Sequence, residues 1–383
     1  MRRTYDVAVV GAGIVGAACA FACAHRGLRT VVIEGRGVGG GATAAGMGHI
    51  VVMDDSDAQL ALTHFSQRLW HELAERLPAE VEFDVCGTLW VAVDDEEMQE
   101  VRRKQSVYAA AGVAAEVLDE QSLAEAEPHL KRPMAGALLV PRDAVLYPPC
   151  AAAWLLQEAT RAGAEFLSDS VVKAGDGQVR LSDGAEISAA HVVIACGAEA
   201  VNLLPELPIR KRKGHLAITD RYPGMVRHQL VELGYLKSAH SMTQDSVAFN
   251  LQPRRTGQVL IGSSRQFGDE TTEVQHGILQ RMLARAQEYL PQIARCSAIR
   301  VWTGFRAATP DKLPLIGPWP DDASLVLATG HEGLGITTSL GTAELVVHCL
   351  TGGDPAIAAA PYLPARLMPV HASANRGAAF DAR

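Results

Sequence analysis

Residues 11–16, Gly-Ala-Gly-Ile-Val-Gly, place three glycines where a short apolar run gives way to a helical one. Gly11 permits a tight turn, Gly13 lets backbone approach a pyrophosphate, and Gly16 lets helix and strand pack closely. The N-terminus of the helix that begins with Ile14 and Val15 then faces the phosphates. Glu34 closes the second apolar run at the distance expected of an acid that binds a ribose hydroxyl. Together these residues point to a bound dinucleotide. A glycine-rich turn without a ligand is the plainer alternative. Arg36 would suit a 2′-phosphate, but Glu34 would repel one, so Arg36 reads as a surface or pyrophosphate-facing residue.

Two further glycine-rich stretches follow. Gly39, Gly40 and Gly41 run into Ala42–Gly48, too glycine-rich for any regular element and suited to close approach of something flat or bulky. Thr329–Gly335, Thr-Gly-His-Glu-Gly-Leu-Gly, is a third strand-to-helix junction, which would aim a helix N-terminus at developing negative charge. A nicotinamide-binding domain has no need of these two segments, whereas a flavin clasped along its length does. A flexible loop and a close-packed turn are the alternatives.

The elements that must position these residues follow from apolar patterning. Tyr5–Val10 and Leu28–Glu34 read as strands around a helix Ile14–Arg26, a βαβ unit. A helix over Asp57–Leu77 carries Leu62, Phe65, Leu69, Leu73 and Leu77 on one face. Phe83–Val93 alternates like a half-buried strand, a charged helix covers Asp94–Ala111, and another helix runs through Trp154 to Ala162. Phe166–Lys173 reads as a strand, followed by a turn and a hairpin return, and His191–Ala195 as a buried strand. Residues 210–304 look antiparallel, with strands at Gly214–Thr219, Ser246–Leu251 and Gln258–Gly262 and a helix at Val274–Leu290. A strand at Ser324–Ala328 leads into a last helix ending near Leu350.

Of 383 residues, 48% are hydrophobic and 20% charged, which is globular composition and excludes a disordered chain. A net charge of -8 argues against a nucleic-acid partner. The basic cluster Arg210, Lys211, Arg212 and Lys213 reads as a solvated turn or an anion contact. Seven scattered cysteines form no CxxC pair, so no zinc or iron–sulfur site is expected, and a reducing cytoplasm fits them. The apolar start breaks into a glycine loop too early for a signal peptide, and the apolar stretch Ile14–Ala24 is too short to span a bilayer.

From the glycine motif and Glu34, through Ala44-Ala45-Gly46-Met47, Val192–Ala198, Leu251–Ser264 and Trp302–Asp311, to His331–Ile336, the chain resembles the FAD-dependent D-amino-acid oxidase superfamily. Within it the chain is similar to the glycine oxidase and sarcosine oxidase branch. The resemblance implies an α/β fold: a Rossmann-like FAD-binding lobe and a second, mainly antiparallel β-sheet lobe for substrate. The expected division is 1–80, 142–209 and 305–365 for the first lobe, 81–141 and 210–304 for the second, with a loose tail at 366–383. The implied reaction is hydride removal from the carbon beside an amine nitrogen, giving an imine that water hydrolyses. The expected partners are an amino acid or amine substrate and O2 or another electron acceptor, with a homo-oligomer as a further option. The expected substrate is a secondary or N-substituted glycine-type amine. The alternative is a D-amino acid or proline-type dehydrogenase subunit that passes electrons to a partner.

Residue by residue, Ile14, Val15, Glu34, Gly35, Gly40, Gly41, Ala45, Gly46 and Met47 match flavin-contacting positions. Val171 matches a strand residue whose backbone meets the adenine, and His331, Glu332, Gly333, Leu334, Gly335, Ile336 and Thr337 match the closing flavin loop. Arg306 matches the arginine that grips the substrate carboxylate, for which a guanidinium fork is suited; a surface salt bridge is the other use. Met47 is also expected near substrate. His49 either faces substrate or makes a structural hydrogen bond, and Arg265 either faces the flavin or caps a strand. Gly304 stands where sarcosine oxidase relatives carry the cysteine that attaches flavin, so noncovalent FAD is expected. Asn250 and Gly333 stand where glycine oxidases carry a tyrosine and an arginine, which implies a roomier pocket. No residue reads as a general base, and hydride transfer from a neutral amine needs none.

Overall fold

Val7 and Val9 face one side of strand Thr4–Val10, Ala8 and Val10 face the other, and all four are buried. A strand covered on both faces has no polar alternation, hence its continuous apolar sequence. In this computed structural model, which describes residues 4–234 and 245–368, that strand lies inside an eight-stranded sheet. Thr30–Ile33 pairs parallel with it on one side and Glu186–Ile194 on the other. Glu165–Leu167 extends one flank, and Asp322–Thr329 with the antiparallel Leu315–Trp319 extends the other. Helices Ile14–His25, Pro148–Arg161 and Gly335–Thr351 cover one face. Ile14–His25 packs against both of the others, which explains its small side chains nearly all round.

A second eight-stranded sheet runs, in spatial order, Ala298–Ala308, Arg210–Thr219, Val259–Arg265, Ser246–Pro253, Gln229–Glu232, Thr88–Ala92, Gly136–Val140 and Glu116–Asp119. It is antiparallel except where Gln229–Glu232 meets Thr88–Ala92 in parallel. The helix His276–Tyr289 packs under it with Phe249 and Leu251. A two-stranded ladder, His49–Ile50 with Ala144–Val145, lies apart from both sheets.

Several expectations are corrected. The stretch after Gly39 is not wholly irregular: Gly41–Ala45 forms a short helix. The helix from Asp57 ends at Leu73 and tightens into a 3-10 turn, because Leu77 precedes Pro78 and is extended. Only Thr88–Ala92 of the Phe83–Val93 segment is strand, since Gly87 takes a left-handed conformation at φ 71. Phe166–Lys173 divides between Glu165–Leu167 and a hairpin strand, Val171–Gly175. The basic cluster at 210–213 is strand rather than turn, with Arg212 and Lys213 buried. The strand Ala298–Ala308 runs continuously through residues 304 and 305. Beyond Met368 the expected tail lies outside the described residues. Among the described residues no helix is long and apolar enough to cross a membrane.

Candidate active site

The first glycine motif closes as tightly as its sequence requires. A Cβ at Gly16 would sit 2.0 Å from the Gly11 carbonyl oxygen, so only glycine lets strand, turn and helix meet. Gly13 caps helix Ile14–His25 without a side chain. Thr43 Oγ1 accepts from Ile14 N at 3.0 Å, which ties the second glycine segment to this helix start. Glu34 Oε2 accepts from Ala12 N at 2.8 Å and Oε1 from Arg36 N at 2.7 Å, so the acid sits at the cradle. Arg36 is exposed, 3.7 Å from Glu199. A side-chain-free helix start with an acid at the end of the next strand fits the pyrophosphate and ribose of FAD.

The other expected cofactor residues gather near this cradle or at the last helix. Gly40 and Gly46 cap the short helix Gly41–Ala45. A Cβ at Gly35 would come 2.0 Å from Ser170 Oγ, beside Val171 at the start of its strand. Ile336 is buried, and Gly335 begins the last helix. Thr337 Oγ1 donates to the His49 carbonyl at 2.8 Å and pins the ladder strand. His331 turns its Nε2 to Thr342 Oγ1 at 2.9 Å, and burial pushes its imidazole down to about 3, so it is neutral. Met47 packs with Leu216 and Leu260 beneath the second sheet.

A cavity of ≈ 110 Å³ opens against the second sheet and contains His49, Asn250, Arg265, Arg306 and Gly333 in its wall. One cross-strand row forms much of it: Trp90 pairs with Val231, Val231 with Asn250, and Asn250 with Gly262. Paired residues share a sheet face, so these residues point the same way. Arg306 enters from the edge strand, paired with Arg212. Its Nη1 donates to the Ser264 carbonyl at 3.0 Å. Arg212 pairs with Glu332, whose main chain is left-handed at φ 55 and whose N–H reaches the Ala307 carbonyl at 3.0 Å. Gly333 flanks Arg306: a Cβ there would lie 3.5 Å from Nε.

Sequence reasoning missed much of this wall and of the residues packed behind it. Trp90 is held from behind by the buried Lys104, whose Nζ lies 4.5 Å from the ring centroid and pairs with Asp54. Gln229 supports His49, and Thr88 lies beside Gln229. Asp143 is fully buried, with Oδ1 accepting from Gln67 Nε2 at 2.7 Å and from Val52 N at 3.2 Å. Burial pushes its carboxyl up to about 7 despite those hydrogen bonds and the charge of Lys104. These residues lie in unremarkable local sequence, and only Arg212 stood out, as one of a basic cluster.

Comparison with known proteins places the chain in a family. The profile of the DAO family, described as FAD dependent oxidoreductase, matches residues 6–349. The chain is 29% identical to glycine oxidase of Geobacillus kaustophilus, over 94% of this chain and 97% of that protein. It is 26% identical to hydrogen cyanide synthase subunit HcnC of Pseudomonas aeruginosa, over 96% of this chain and 98% of that one. The crystal structure of Geobacillus kaustophilus glycine oxidase matches with a TM-score of 0.85 at 26% identity, covering 96% of this chain and 100% of that chain. L-proline dehydrogenase from P. horikoshii shares the fold, with a TM-score of 0.84 at 23% identity over 96% of this chain and 98% of that one.

Proposed function

The chain belongs to the DAO family of FAD-dependent oxidoreductases, and from that premise we propose that it oxidises the C–N bond of a carboxylate-bearing secondary or N-substituted amine. The observation that carries this reading is Arg306, a guanidinium anchored on the Ser264 carbonyl and presented in a cavity that also has apolar wall at Val51, Val231 and Leu334. When bound, noncovalent FAD supplies the acceptor for the hydride that leaves the substrate carbon.

Arg306 holds the carboxylate by its fork and thereby fixes the neighbouring carbon. Val51, Val231 and Leu334 exclude water and leave an apolar place for a nitrogen substituent. Arg212, Arg265, Arg306 and Lys312 outnumber Asp55 and Glu332 around the cavity. That positive field lowers the pKa of a bound ammonium and favours the neutral amine, whose lone pair drives the C–H electron pair out. The imine so formed is hydrolysed by water. All seven cysteines are free thiols, which supports a cytoplasmic setting.

Anaerobic mixing with N-alkylated glycines, proline-like imino acids and glycine, followed by flavin absorbance, tests the proposal. Bleaching is expected with the larger amines at least about tenfold faster, per unit concentration, than with glycine. If dithionite bleaches the flavin and no amine does, the reading fails. The similarity to a subunit of a larger synthase supports a second reading, in which electrons pass to a partner. Reoxidation in air that is slow against turnover with an artificial acceptor would favour it.

A further inference from the structure

The side chain of Gln229 is oriented by a group that can only accept. Its Nε2 donates to the Ala144 carbonyl at 3.0 Å and to Thr88 Oγ1 at 3.2 Å. A main-chain carbonyl has no proton to give, so the amide nitrogen lies on that side and Oε1 on the other. Oε1 meets His49 Nδ1 in a short hydrogen bond. Because Oε1 can only accept, Nδ1 carries the proton. Burial holds the His49 imidazole below its usual range, hence neutral. A neutral ring has one N–H, so Nε2 is a bare lone pair.

The polarity passes one step further. Asn250 Nδ2 lies 3.4 Å from His49 Nε2 and must be the donor. That distance is well beyond the usual ~2.9–3.0 Å, so the lone pair is weakly engaged. The Asn250 carbonyl is thereby turned the other way, and Oδ1 is buried with no hydrogen-bond partner among the described residues. His49 and Asn250 share the cavity with Arg306.

We propose that His49 Nε2 is the acceptor for the substrate's amine N–H, and that Gln229 is the positioning residue that keeps it an acceptor. The assignment rests on the reading of Arg306 as the carboxylate clamp. It requires at least one N–H on the substrate nitrogen and disfavours any ligand that puts a lone pair there, because two acceptors would then face each other. Fully substituted tertiary amines are excluded as substrates on this ground.

Two unreactive carboxylates of nearly equal shape isolate the effect. Pyrrole-2-carboxylate presents a ring N–H where 2-furoate presents a ring oxygen. Their Kd values for the FAD-loaded wild type, read by perturbation of the flavin spectrum or by calorimetry, should differ by about tenfold or more in favour of the pyrrole. In Gln229→Met the imidazole is free to take either tautomer, and the ratio should fall below about threefold. A general weakening of the fold would move both affinities together and leave the ratio standing. Equal affinities in the wild type overturn the acceptor assignment and leave the carboxylate clamp intact. Failure of both ligands to bind overturns the clamp and the assignment with it. The 15N spectrum of histidine-labelled protein gives an independent readout: His49 should carry its proton on Nδ1, and a proton on Nε2 overturns the proposal.

Discussion

Arg306 lies across Gly214 of the neighbouring strand, so closely that a Cβ at Gly214 would come 2.5 Å from Nη1 and 2.9 Å from Cζ. The register pairs Gly214 with Gly304 and Arg306 with Arg212, so the guanidinium reaches diagonally over the glycine. The glycine thus sets the path of the guanidinium proposed as the clamp. Gly214→Ala should push the guanidinium off the Ser264 carbonyl and raise KM for a carboxylate substrate by roughly ten- to a hundredfold, the cost of a misplaced binding group. FAD content should stay unchanged. Steady-state kinetics beside flavin quantitation check this, and an unaltered KM would show that the packing is incidental.

The clamp itself has a larger expected effect. Arg306→Ala should lower kcat/KM by about two to three decades, or roughly 3–4 kcal/mol of transition-state stabilisation. Arg306→Lys should restore only part, because an ammonium cannot make two parallel bonds to a carboxylate. A substrate amine without a carboxylate should be indifferent to both changes. Near-normal kcat/KM in Arg306→Ala would remove the basis of the substrate reading.

Gly304 bears on how the cofactor is held. A Cβ at this position would come 2.2 Å from the Ala45 Cβ, so the short helix Gly41–Ala45 packs against bare backbone. Acid precipitation of the wild type should leave all flavin in the supernatant. Gly304→Cys should lose FAD affinity and lower Tm, because the helix must move. Flavin retained in the washed wild-type pellet would contradict noncovalent binding.

The dinucleotide cradle was legible because its constraints are local: Gly11, Gly13 and Gly16 bracket one strand-to-helix junction, and Glu34 directly follows the next strand. Arg306 was singled out through resemblance as a candidate, although its setting in a long edge strand was not legible. The rest of the wall is built by contacts between distant segments. Gln229 meets His49 across 180 positions of sequence, and no local pattern marks either residue as a partner of the other. Trp90 and Val231 occupy apolar strand positions that look like any core pair until the register brings them beside Asn250. Of the two readings of the basic cluster, the solvated turn fails and the anion contact holds for Arg212 and Lys213: their burial is supported by Glu332 for Arg212 and by Asp269, 2.7 Å from Lys213 Nζ.

Asp143 gives the fold a pH dependence of defined sign. Its carboxyl is pushed by burial from an ordinary value of 3.8 to about 7. Between those two values the folded state binds the proton and the unfolded state does not. Stability from this group is therefore present at low pH and is lost as pH rises toward 7, with no further loss above it. The total swing is on the order of a few kcal/mol. Asp143→Asn removes the titration while keeping one oxygen to accept from Gln67 Nε2 and Val52 N, as Oδ1 does now. Groups that titrate elsewhere are common to both proteins and cancel in the difference. The Tm of the variant minus that of the wild type, both loaded with FAD, should therefore rise between about pH 5 and pH 7.5 and then level off. A difference that is flat across this range would mean that Asp143 is ionised in the fold throughout.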